Sequence, residues 1–170
     1  MDKAGEYAQN LLHVLQEEFQ LTGDLIGFAR EKEQLLARAD VKSLNDLLTT
    51  EEETVIALRE KEEERNRNVM EFADVLGVSP VGLTIRQLAE WTKDAELGHR
   101  LVSAGNDIAV NMRELSRHNE KVKRLLKHQV AYTEFMLNLL LSTKNQAIFY
   151  NVQGNREEKE NTVSRLNYHA

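Results

Sequence analysis

The sequence has no cysteine, so disulfides, thiolate zinc sites, iron–sulfur clusters and cysteine nucleophiles are all excluded. A reducing, cytoplasmic location is expected. Proline occurs once and glycine eight times in 170 residues, too few turn-makers for a many-stranded sheet. Aromatic residues make up only 6% of the chain, so a compact core built on large rings is not expected. No uninterrupted apolar run approaches the roughly 18 residues that a bilayer-spanning helix needs. The opening Met1, Asp2, Lys3, Ala4 and Gly5 also lack the apolar centre of a signal peptide. A soluble, unexported chain with no stable membrane insertion is expected. Positive charge is not in excess either. The 22 Lys and Arg against 28 Asp and Glu leave a net charge of −6, which opposes bulk attraction to nucleic acid or anionic lipid.

The chain is rich in Leu, Glu, Ala, Lys, Gln and Arg, all strong helix formers. The expected fold class is all-α: an antiparallel three-helix coiled-coil bundle with a short connecting helix and a C-terminal tail. The bundle is assigned to residues 1–143 and a flexible tail to 144–170. In the first stripe, Ala4, Ala8, Leu11, Leu15, Thr22, Leu25, Ala29 and Leu36 recur at steps close to three and four, interrupted by Glu18 and Glu33. The spacing predicts one long helix over residues 3–39. Ser43 is the expected N-cap of a second stripe of Leu44, Leu47, Val55, Leu58, Val69, Phe72 and Leu76, which should end at Gly77 with Pro80 close behind. Thr84 and Gln87 have capping-box spacing, so a short helix over 84–91 should act as a lid, burying Ile85, Leu88 and Trp91 across the bundle end.

A third stripe runs Leu97, Leu101, Ala104, Ile108, Asn111, Leu115, His118, Val122, Leu125, Gln129, Tyr132, Met136 and Leu139 in sustained heptad register, predicting a helix over 94–143. Gly98 and Gly105 near its start suit close packing against the lid. Asn111, His118 and Gln129 fall on the seam, where polar residues fix register and partner choice.

Signals for catalysis are weak. Glu96 and His99 have the Glu-x-x-His spacing of bundle di-iron sites, but such sites need two copies and no second one exists. There is no Gly-x-Ser-x-Gly elbow and no phosphate-cradling glycine loop. The expectation is a protein that is not an enzyme and holds no cofactor or metal. Residues 113–127 carry Arg113, Arg117, Lys121, Lys123, Arg124 and Lys127 against Glu114 and Glu120. At 100° per residue these cations share about 160° of arc opposite Leu115 and Val122. The face reads as solvated, facing the acidic stretch at 51–64, with an acidic protein partner as the alternative. Without interleaved aromatics it makes a poor nucleic-acid surface.

Residues 125–141 are the most informative. Their apolar side chains spread over about 240°, more than the stripe of somewhat over 100° that a bundle helix needs. At 1.5 Å per residue the third helix also outruns the first two by roughly 10 to 14 residues. The overhang, residues 130–143, should be covered by another chain's amphipathic helix, by a second copy as a homodimer, or by a folded-back tail using Ile148, Phe149, Tyr150 and Val152. The expected partner-binding residues are Leu126, Val130, Phe135, Leu137, Leu140 and Leu141.

The order of parts resembles the FlgN family of bacterial flagellar export chaperones. The resemblance rests on Asp40-Val41-Lys42-Ser43-Leu44-Asn45-Asp46-Leu47-Leu48, the Leu83-Thr84-Ile85-Arg86-Gln87-Leu88 insert, Asn119-Glu120-Lys121-Val122, and Tyr150 four residues before Gly154. It implies a cytoplasmic chaperone for the C-terminal helical segments of the hook-associated proteins FlgK and FlgL, which prevents their premature assembly. The client site would then lie in residues 130–141. Contact with the flagellar type III export gate is also implied, with Tyr150 as its candidate residue.

Overall fold

The computed structural model describes residues 3–148, with side-chain surroundings to residue 141. Among these residues there are four helices: α1 (Lys3–Ala37), α2 (Val41–Leu76), α3 (Ile85–Glu90) and α4 (Ala95–Ile148). No strand occurs among the described residues. The chain divides into two units, Met1–Gln129 and Val130–Ala170. The tail expected from residue 144 begins five residues inside α4, and from 149 onward it lies outside the described residues.

Within the first unit, every residue of the α1 stripe is buried. One core cluster joins Ala8, Leu11 and Leu15 of α1 to Phe72 of α2, Leu88 of α3, and Leu97 and Leu101 of α4. A second joins Leu25, Ile26 and Ala29 to Leu58 and Leu115. The α2 stripe is shallower. Leu58, Phe72 and Ala73 are buried, whereas Leu44, Leu47, Val55, Val69 and Leu76 are half-buried.

Polar cross-links between the helices set their register. Between α1 and α2, Lys32 meets Glu51 at 2.6 Å, Glu18 meets Arg65 at 2.8 Å and Glu17 meets Lys61 at 2.9 Å. From Lys32 back to Glu17 and Glu18, the α2 partners advance from 51 to 61 and 65, so the two helices run in opposite directions. The α4 partners advance with α1 instead. Asn111 donates to Thr22 at 3.1 Å, Arg30 pairs with Glu114, Glu33 contacts His118, and Gln129 donates to the Leu36 carbonyl at 3.1 Å. Each buried polar group would lose its partner in a shifted register, and that penalty specifies the alignment. Glu18 is almost fully enclosed, and burial pushes its carboxyl pKa up against the opposing pull of Arg65.

The α1–α2 joint differs from expectation. Asp40, not Ser43, is the N-cap. Its carboxylate accepts from the Ser43 amide at 3.1 Å and the Ser43 hydroxyl at 2.7 Å, so the helix starts three residues earlier, at Val41. A serine could satisfy the same orphan amide, but Asp40 accepts two bonds at once. The hydroxyl bond and then the amide bond hold the Asp40 carboxyl below its ordinary pKa. Because the folded pKa is depressed, the cap contributes fully above the ordinary aspartate range and is lost as pH falls through the folded value. Asp40→Ala should therefore lower the melting midpoint by a few degrees at pH 7. That gap from wild type should close on acidification, as followed by circular dichroism.

The other end of α2 follows expectation. Gly77 sits at φ 69°, ψ 29°, its amide reaching the Asp74 carbonyl at 3.0 Å while Val78 reaches Ala73 at 3.0 Å. At α3 the Gln87 amide donates to Thr84 Oγ1 at 3.2 Å and the Thr84 amide to Gln87 Oε1 at 2.9 Å, completing the capping box. The burial expected here is met at Leu88 and only partly at Ile85, and it fails at Trp91, which is 41% exposed. Trp91 is the C-cap of a six-residue helix, so it leaves the face that Leu88 defines, and buried Thr92 follows it.

Candidate functional site

The seam of α4 follows one face as far as Gln129. Leu97, Leu101, Leu115, His118 and Val122 are buried, and Ala104, Ile108, Asn111, Leu125 and Gln129 are half-buried. His118 shows how this face handles polarity. Its Nδ1 lies 2.5 Å from Glu33 Oε1, while Arg30 Nε donates to its Nε2 at 3.4 Å. The hydrogen bond from Arg30 pulls the Glu114 carboxyl below its ordinary pKa, with smaller help from His118 and Arg117.

From Val130 the pattern changes. Every residue from 130 to 141 is exposed, including Val130, Tyr132, Phe135, Met136, Leu137, Leu139, Leu140 and Leu141. Tyr132, Met136 and Leu139 continue the heptad without a break in spacing, yet they are exposed, contrary to their place in the buried stripe. Leu137 is 54% and Leu141 61% exposed. At 100° per residue these apolar side chains occupy about 240° of the helix, leaving Glu134 and Asn138 on the narrow polar remainder. Exposed apolar surface on this scale is a mark of interaction sites.

Of the residues expected to bind a partner, Leu126, Val130, Phe135, Leu137, Leu140 and Leu141 are all exposed. Leu126 falls in the first unit and the other five in the second. Tyr150 lies outside the described residues. Tyr132, Met136 and Leu139 are exposed with them and were absent from the expected set. Periodicity could not single them out, since it does not distinguish a seam with a neighbour from one without. Helix length does, and the overhang expected over 130–143 from that argument contains all three: α4 has 54 residues against 35 in α1 and 36 in α2.

Glu96 and His99 are both exposed, and among the described residues no three His, Asp or Glu side chains are grouped to hold a metal. No described helix is long and apolar enough to cross a membrane. Two concavities among the described residues are open grooves rather than enclosed sites. One, lined by Leu12, Phe19, Arg100 and Asp107, is about 600 Å³, and the other, lined by Arg65, Met70, Pro80 and Ile85, is about 400 Å³.

The model of one protein family, described as FlgN protein, matches residues 1–158. The chain belongs to the FlgN family. No curated protein and no solved structure matches it. Membership suggests a flagellar export chaperone role for this chain.

Proposed function

We propose that this protein is a cytoplasmic chaperone that captures the C-terminal helical segments of FlgK and FlgL on residues 130–141 of α4, and so prevents their assembly before export. The supporting observation is the unbroken exposure of apolar side chains around that stretch. A client segment with an apolar stripe would dock against Val130, Phe135, Leu137, Leu140 and Leu141 in the manner of helix-to-helix recognition. Capture orders a disordered segment, and the entropy lost keeps affinity moderate and release feasible at the export gate without nucleotide. In this reading α1, α2 and α4 form an antiparallel three-helix coiled-coil bundle with α3 as its connecting helix. Tyr150 is retained as the export-gate contact.

Titrating the full chain with the C-terminal segment of FlgK or FlgL in a calorimeter should give saturable binding. Leu137→Glu and Leu141→Glu should each weaken it by at least tenfold. No binding at tens of micromolar, together with a tight homodimer that buries the same leucines, would favour a self-associating structural or adaptor coiled coil instead.

A further inference from the structure

The basic face of α4 lies outside residues 130–141, and among the described residues few carboxylates meet it. Residues 113–127 hold six cations against Glu114 and Glu120 in a chain of net charge −6, so the rest of the chain carries −10. Arg113, Arg117, Lys123, Arg124 and Lys127 are exposed, opposite the buried Leu115, His118 and Val122.

The acidic residues of α2 do not serve this face, contrary to the sequence expectation. Glu51 pairs with Lys32 of α1, and Glu64 pairs with Lys61. On the α1 side, Glu17 is held by Lys61 and Glu18 by Arg65, while Glu33 contacts His118. Of the six cations only Lys121 comes within ion-pairing distance of a carboxylate among the described residues, at 3.8 Å from Glu33, and Arg113 donates to the Ala109 carbonyl at 3.0 Å. Among the described residues Lys123, Arg124 and Lys127 pair with no carboxylate, although Glu120 stands one turn away. Arg113/Arg117, Arg117/Lys121 and Lys123/Lys127 are like-charge pairs at i, i+4, which oppose helix formation unless a counter-charge relieves them.

We propose that this face docks an acidic helical segment of a partner protein. The row from Arg113 to Lys127 extends about 21 Å along a straight helix. That length matches about four turns of a second helix carrying Asp or Glu at spacings of three and four. The observations favour a protein segment over nucleic acid. No Phe, Trp or Tyr occurs from residue 92 to 131 to stack on bases.

The test uses the full chain and a fluorescein-labelled 18-residue helical peptide of Glu and Ala, read by anisotropy at 50 and 500 mM NaCl. A 15-bp DNA duplex and vesicles of phosphatidylglycerol serve as comparators. Micromolar peptide binding is expected, falling at least tenfold in high salt and at least tenfold in Arg117→Gln/Lys123→Gln/Arg124→Gln/Lys127→Gln. That variant should melt no lower than wild type, because it removes like-charge pairs. If it fails to fold, Arg124→Gln and Lys127→Gln singly should each still weaken binding severalfold. Absence of saturable peptide binding, binding unchanged in the variants, or tighter binding to the duplex or vesicles would overturn the proposal. Client binding by residues 130–141 should survive the charge substitutions, which separates this face from the apolar segment.

Discussion

Leu101→Glu should abolish cooperative folding at 25 °C, whereas Leu137→Glu, on the same helix, should leave the melting curve within a degree or two of wild type. Leu101 is 0% exposed and packs in the cluster that joins all four helices. Truncating such a leucine alone costs about 3–5 kcal/mol. A carboxylate at that site either stays ionised without a partner or takes up a proton, adding a further cost of a few kcal/mol. A domain of this kind has only about 5–15 kcal/mol in total, so the sum approaches or exceeds what is available. Leu137 is 54% exposed, and exposed substitutions away from special features usually change stability by no more than about 0.5 kcal/mol. Thermal denaturation followed by circular dichroism at 222 nm distinguishes them. Equal loss of stability in both variants would show that Leu137 is core and would remove the basis for a binding surface there.

The contrast between these leucines also marks how far the sequence could be read. The expected α1 stripe is buried at every position because a 3.6-residue period reports burial directly when one face is covered along the whole length, though buried Leu12, Val14, Glu18, Ile26 and Lys32 lie outside it. Gly77 and the Thr84–Gln87 box were legible because each satisfies backbone groups from within a few residues. Asp40 was not, since aspartate and serine cap by the same chemistry and spacing alone could not choose between them. Trp91 was misplaced for a related reason: a helix of six residues is too short for its periodicity to say which face the residue after its end adopts. Tyr132, Met136 and Leu139 keep the heptad of Leu115 and Val122, yet they are exposed where the others are buried. Their surroundings depend on whether a neighbouring helix is present at that level, a tertiary fact that a local repeat does not carry. The pairing of α2 acids with α1 was hidden likewise, because net charge along a segment does not reveal which helix face each carboxylate occupies.

Gly98 and Gly105 lie seven residues apart on α4, and replacing each by alanine should give opposite signs. In a free helix either change would gain up to about 1 kcal/mol by restricting the unfolded chain and improving propensity. At Gly98 an added Cβ would sit 2.9 Å from the Ala89 carbonyl oxygen. That oxygen belongs to the backbone of α3 and already accepts from the Thr92 amide at 3.2 Å, so it cannot swing aside without disturbing the end of the helix. Overpacking of this kind costs about 1–3 kcal/mol, so Gly98→Ala should be destabilising on balance, and Gly98→Val, bulkier and β-branched, clearly more so. At Gly105 the nearest atom is Ile85 Cδ1 at 3.2 Å, the free end of a side chain on a partly buried residue. A small rotation of Ile85 accommodates the methyl, so Gly105→Ala should be neutral or stabilising. Chemical denaturation of the three variants checks the ordering, with Gly98→Val least stable and Gly105→Ala at or above wild type. A stabilised Gly98→Ala would mean that α3 does not approach α4 as closely as the Ala89 carbonyl indicates, and the short helix would then be a loose strap over α4 rather than part of the core.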